Sequence, residues 1–216
     1  MTGDGQPGGG LRSRLPIGLA IGASTGGPKA LLTLLADLVL PASGYAFLVQ
    51  HIHPTFVGIL LRRLQSGAAL PVEEAGHDAA IAPGRLYVAP GGRHLRVERA
   101  HPGGFRTYLT QDPPVHGVRP SLDLLFASLA TAFGARTLGV VLTGMGRDGL
   151  EGARAIKAKG GRILTEAEST CVVYGMPRAL VEAGLADRQV PIGEMARAIR
   201  QATQELRASA TAPGGR

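Results

Sequence analysis

Pro16-Ile-Gly-Leu-Ala-Ile-Gly-Ala-Ser-Thr-Gly-Gly-Pro-Lys29 runs from apolar residues into a cluster of small ones and then into a leucine-rich segment. That order predicts a buried strand, a tight glycine turn and the N-terminus of a helix. Gly22 and Gly26 bracket Ser24 in the pattern G-x-S-x-G, which lifts a serine hydroxyl out of a sharp strand-to-helix turn. The first N–H groups of the helix point at the same spot and favour negative charge there. Ser24 is therefore either a nucleophile or an N-cap, because serine is also a favoured capping residue. A phosphate-binding loop fails on register: Pro28 stands where its lysine belongs, and no Ser or Thr follows Lys29 for magnesium. No G-x-G-x-x-G can be laid on this turn either.

Composition narrows the class. A chain of 216 residues fits one domain with a sizeable core. No apolar run approaches the ~20 residues of a membrane span. Residues 1–14 are Gly-rich and polar and lack a signal-peptide core, so a cytoplasmic protein without membrane insertion is expected. The single cysteine, Cys171, excludes an intramolecular disulfide or a cysteine-based metal cluster, and its apolar setting suggests a buried structural thiol. A net charge of +7 without basic clusters, with 4% aromatics and no Trp, argues for an acidic protein partner over nucleic acid.

Taken in order, residues 1–15 are expected to form a disordered tail, with the folded domain over 16–207 and a second tail at 208–216. A leucine-rich helix spans about residues 29–40, and a buried strand, 45–50, ends at Gln50-His51-Ile52-His53-Pro54. A further helix follows over 56–64. This alternation predicts an α/β fold with a parallel sheet. The middle carries short segments at 72–75, 85–90, 94–98 and 105–110, separated by Gly and Pro, which give hairpin signals and read as an antiparallel insertion or sheet extension. The α/β pattern resumes with Arg119-Pro-Ser-Leu-Asp123, where Pro120 suits the first helical position and Asp123 the first turn. A strand at 137–143, the loop Gly144-Met-Gly-Arg-Asp-Gly149, a helix at 150–159 and a strand at 162–165 follow. Met195, Ile199, Ala202 and Leu206 mark one face of a last helix.

A serine hydroxyl needs a base, usually histidine near neutral pH. Functional groups in open α/β sheets gather at the carboxyl ends of strands. Of six histidines, His51 alone directly follows a predicted core strand. His53 is already turning into Pro54, and His77, His94, His101 and His116 read as surface residues of the hairpin region. The same filter selects Asp148 as the carboxylate that orients the imidazole, although Asp before Gly149 is also a good N-cap or turn residue. Spacing alone does not decide between Ser24, His51, Asp148 and an α/β-hydrolase order using a later histidine.

Five segments resemble the catalytic domain of the chemotaxis protein-glutamate methylesterase family, CheB. They are Ile21-Gly-Ala-Ser-Thr-Gly-Gly27, Gln50-His51, Arg119-Pro-Ser-Leu-Asp123, Leu142-Thr-Gly-Met-Gly-Arg-Asp-Gly149 and Ser169-Thr-Cys-Val-Val-Tyr-Gly-Met-Pro-Arg178. The resemblance implies a three-layer α/β/α sandwich, with a mainly parallel sheet and an antiparallel hairpin at one edge. It implies hydrolysis of γ-glutamyl methyl esters on the glutamate-rich cytoplasmic helices of methyl-accepting chemotaxis receptors, releasing methanol, and often deamidation of glutamines. The triad falls on Ser24, His51 and Asp148, with Thr25 beside the nucleophile and the Met145 N–H holding the oxyanion. No cofactor or metal is implied.

Typical members of that family carry a receiver domain before the esterase, whereas here only residues 1–15 precede the expected first strand. A stand-alone catalytic domain is therefore expected, either constitutive, controlled by a separate regulatory protein, or cut from a longer chain. Two other functions compete: a different serine esterase or amidase on this scaffold, and a non-catalytic receptor-binding module.

Overall fold

A computed structural model describes residues 15–209. The chain runs β1 (Ile17–Ala23), α1 (Gly27–Asp37), β2 (Gly44–Gln50), α2 (Pro54–Gly67), β3 (Val72–Glu74), β4 (Ala79–Ile81), β5 (Leu86–Val88), β6 (His94–Arg99) and β7 (Phe105–Thr110). It continues α3 (Leu122–Phe133), β8 (Thr137–Val141), α4 (Leu150–Ala158), β9 (Arg162–Glu166), α5 (Met176–Glu182), β10 (Arg188–Val190) and α6 (Ile192–Ser209). The main sheet has seven strands among the described residues, in the order β10-β9-β8-β1-β2-β5-β3, and every pairing in it is parallel.

Parallel strands need crossovers, and the crossovers cover both faces, so the central strands are apolar almost throughout. Every residue of β1 and β8 is buried. On one face lie α1, α2 and α6, through Leu31, Leu34, Leu35, Leu64, Met195 and Ile199. On the other lie α3, α4 and α5, through Leu125, Phe126, Leu129, Ile156 and Leu180. A separate antiparallel sheet, β4-β7-β6, shares that second core through Leu95, Val97 and Phe105.

The expected α/β sandwich is thus present, with differences in detail. The segments at 72–75 and 85–90 read as hairpin strands, but β3 and β5 extend the main sheet in parallel. Runs of three residues carry too little periodicity to reveal their partner. Helix α3 starts after Ser121, so Pro120 precedes its N-cap and does not occupy the first turn. Helix α6 continues two residues past the expected boundary at 207, and the expected tails at 1–14 and 210–216 lie outside the described residues.

The chain steps from β1 to β2 on one side, then returns through β8 on the other, so β1 is the switch point of the sheet. The loops leaving β1, β2 and β8 diverge there and open a crevice at the carboxyl ends. Behind it, α3 and α4 pack very closely: a Cβ added to Gly152 would lie 2.5 Å from Phe126 Cβ and 2.7 Å from the Asp123 carbonyl oxygen. Because one of those neighbours is backbone, Gly152→Ala should force the helices apart. We expect a loss of ~1–3 kcal/mol in unfolding free energy, measured by chemical denaturation.

Candidate active site

Three turns meet at the crevice. The Ser24 N–H donates to Thr143 O (3.0 Å) and the His51 N–H to Ala23 O (3.0 Å), so the sheet ladder carries on past the strands. Ser24 is thereby seated between the exit of β2 and the exit of β8. Its carbonyl accepts the Gly27 N–H at 2.8 Å and the Gln50 side-chain amide at 2.9 Å, which closes the turn. Gly26, at φ 83°, is the N-cap of α1, a left-handed conformation that glycine adopts without strain. Ser24 therefore lies two residues ahead of the cap and makes no side-chain cap bond, which removes the capping alternative. Its side chain is half-buried, and its hydroxyl forms no hydrogen bond among the described residues.

Gly144 makes the junction possible. A Cβ there would lie 2.7 Å from Ser24 Cβ and 2.6 Å from Met176 Sδ. Only a residue without a side chain lets the two loops touch.

His51 Nε2 lies 2.8 Å from Asp148 Oδ2. The Asp148 carboxylate is 3% exposed and accepts three further bonds, all from the start of α3. These are the Ser121 hydroxyl to Oδ1 (2.8 Å), the Leu122 N–H to Oδ2 (2.7 Å) and the Asp123 N–H to Oδ1 (3.1 Å). Asp148 thus caps a helix, but not its own: α4 is capped by Gly149, and Asp148 serves α3, whose first N–H groups have no partner inside the helix. Burial pushes its pKa up, yet the His51 and Leu122 bonds and the His51 charge outweigh this and hold it below the ordinary carboxylate value. Asp123, by contrast, is driven up mainly by burial, opposed by the Gly152 N–H and assisted by the Asp148 anion.

Neither the Thr25 nor the Met145 N–H donates a hydrogen bond among the described residues. Both residues are exposed, Met145 at 76%. The loop carrying Met145 is held by Thr143, whose hydroxyl donates to Thr25 O (2.9 Å) and accepts the Val173 N–H (2.9 Å). The Thr143 N–H donates to Glu166 Oε2 (2.8 Å), a carboxylate with no exposed surface at the end of β9. Glu166 and Ser121 carry no local signal in the sequence, because each acts across strands far apart in the chain.

The structure brings Ser24, Thr25, His51, Met145 and Asp148 to one end of the sheet. His77, His101 and His116 are exposed, as expected, and so is His53. His94 is not: it is wholly buried, because β6 packs beneath the start of α3. Cys171 is half-buried and its thiol is pushed up to about 12, chiefly by burial and then by Glu166 and Glu168, so it stays protonated.

A family model described as CheB methylesterase matches residues 19–199. The chain belongs to the CheB methylesterase family. It is 44% identical over 84% of its length to protein-glutamate methylesterase/protein-glutamine glutaminase 2 of Nitratidesulfovibrio vulgaris, covering 49% of that protein. It is 47% identical over 84% of its length to protein-glutamate methylesterase/protein-glutamine glutaminase of Moorella thermoacetica, covering 43%. The chain therefore spans about half the length of the curated relatives it matches. The crystal structure of the Thermotoga maritima CheB methylesterase catalytic domain superposes with a TM-score of 0.80 at 34% identity, covering 90% of this chain and 98% of that one.

The charge state of Asp148 makes a pH prediction. Its folded pKa lies below its unfolded one, so its contribution to stability is complete above about pH 4 and is lost as the pH falls through the folded value. Asp123, shifted the other way, contributes stability that grows on acidification. Asp148→Asn should therefore flatten the acid-side loss in denaturation midpoint below about pH 4 relative to wild type, measured by urea titration.

Proposed function

We propose that this chain hydrolyses γ-glutamyl methyl esters on cytoplasmic helices of methyl-accepting chemotaxis receptors, with Ser24 as nucleophile, His51 as base and Asp148 as the orienting carboxylate. The observation that carries the proposal is the 2.8 Å His51–Asp148 contact at the sheet end where Ser24 emerges. The names of the relatives, the exposed apolar Met145 and Val172 flanking the serine turn, and a net charge of +7 for a glutamate-rich partner all support it.

With Nε2 engaged by an anion, the proton of neutral His51 sits on Nε2 and leaves Nδ1 as the basic nitrogen. Ser24 Oγ attacks the ester carbonyl carbon as Nδ1 takes its proton, and Asp148 stabilises the resulting imidazolium. The tetrahedral oxyanion accepts the free N–H groups of Thr25 and Met145, where one such donor is worth about 10²–10³ in rate. The intermediate collapses, the C–OCH₃ bond breaks, and the methoxide takes the proton from Nδ1 to leave as methanol. Water then attacks the acyl-serine, giving its proton to Nδ1. A second collapse frees the glutamate carboxylate and returns the proton to Ser24. The same steps on a glutamine side chain release ammonia. No cofactor takes part.

Methanol release from methylated receptor should fall at least about 10³-fold in both Ser24→Ala and His51→Ala, with the fold intact by circular dichroism. Full activity in Ser24→Ala would refute the mechanism. Turnover of a small ester alongside inertness towards methylated receptor would move the function to a different serine hydrolase.

A further inference from the structure

His94 takes no part in the steps above, yet it stands two hydrogen bonds behind Asp148, with Ser121 between them. It opens β6, has no exposed surface, and both of its ring nitrogens are engaged. Nδ1 accepts the Ser121 N–H at 3.1 Å, and Nε2 lies 3.2 Å from Pro113 O. A carbonyl can only accept, so Nε2 carries the proton and the ring is a neutral imidazole of fixed tautomer. Burial pushes its pKa down; the Pro113 carbonyl and Asp112 oppose this, while Arg119 and Arg96 reinforce it.

Ser121 is the N-cap of α3, but its hydroxyl does not cap its own helix. It turns instead to Asp148 Oδ1, at 2.8 Å. The backbone geometry at Ser121 therefore decides where that hydroxyl and the next two N–H groups point. His94 is the group that holds this geometry from behind, and without it the Ser121 N–H would be a buried donor lacking an acceptor.

Resting on the triad proposed above, we infer that His94 is a positioning residue for the esterase reaction. By accepting the Ser121 N–H it aims the Ser121 hydroxyl and the Leu122 N–H at Asp148, and through Asp148 it fixes the tautomer and orientation of the His51 ring. The path is continuous: Pro113 O, His94, Ser121, Asp148, His51. An apolar residue could fill the same space beneath α3, but it could not accept that N–H.

Three variants of the full chain test this. His94→Leu fills the volume without an acceptor, His94→Asn returns an acceptor near the Nδ1 position, and Ser121→Ala removes the hydroxyl that reaches Asp148. Each is compared with wild type and Ser24→Ala for methanol release from methylated receptor, and by NMR of the His51 imidazole proton facing Asp148. That proton resonance needs no substrate. In folded His94→Leu and in Ser121→Ala, kcat should fall about ten- to a hundredfold with KM nearly unchanged, and the His51 resonance should move upfield. His94→Asn should restore both readouts to near wild type. Wild-type kcat and an unmoved resonance in folded His94→Leu would overturn the inference. So would His94→Asn as impaired as His94→Leu when both are folded, or, should His94→Leu not fold, an unmoved resonance in Ser121→Ala. If wild type itself releases no methanol, the esterase proposal fails on its own, and the His51 resonance still decides whether His94 positions the ring.

Discussion

A carboxylate with 3% of its surface exposed is ordinarily driven towards its neutral form, because burial removes the water that stabilises the charge. Asp148 escapes this by standing at the N-terminus of α3, where two backbone N–H groups and the Ser121 hydroxyl converge on it and leave one lone-pair direction for His51. The helix needs an anion to satisfy its first turn, and the histidine needs an anion to stabilise its charged form. One side chain meets both needs. The packing of α3 against α4 and the sheet is thereby tied to the electrostatics of the crevice. The same helix start also draws in β6, since the donor that precedes its first turn is answered by a histidine on that strand.

Much of this arrangement could be read from the chain before any coordinates. The alternation of buried strands and amphipathic helices is a strong signal because parallel strands are apolar on both faces, and β1, β2, β8 and β9 fall where that signal places them. Ser24, His51 and Asp148 could be selected because residues leaving strand ends in such sheets share one edge. The short strands were harder. β3 and β5 each have three residues, and whether they pair with β2 or with one another depends on contacts across tens of residues.

The residues that support the site were illegible for a related reason. Ser121 falls inside the first turn of a helix expected to open at Pro120, and Asp148 reads as the cap of the helix that follows it; only in three dimensions does the aspartate cap the serine's helix. His94 sits in a run of alternating residues that fits an exposed hairpin, and its burial follows from a helix arriving from later in the chain. Glu166, with no exposed surface, reads as a strand end but ties the exit of β8 to that of β9. Local pattern reports which face of an element is apolar; it does not report which distant element completes a polar group's bonding.

The parallel order of β2, β1 and β8 has a consequence for how the molecule can be observed. The serine, the histidine and the aspartate come from loops that follow three different strands, and 97 positions separate the histidine from its carboxylate. No single hairpin or helix pair contains more than one of them. A partly folded chain, however rich in helix, holds none of the chemistry, so turnover reports the assembled centre of the sheet as a whole. Spectroscopic helix content and catalytic competence would then part company wherever the outer helices form before the central strands align.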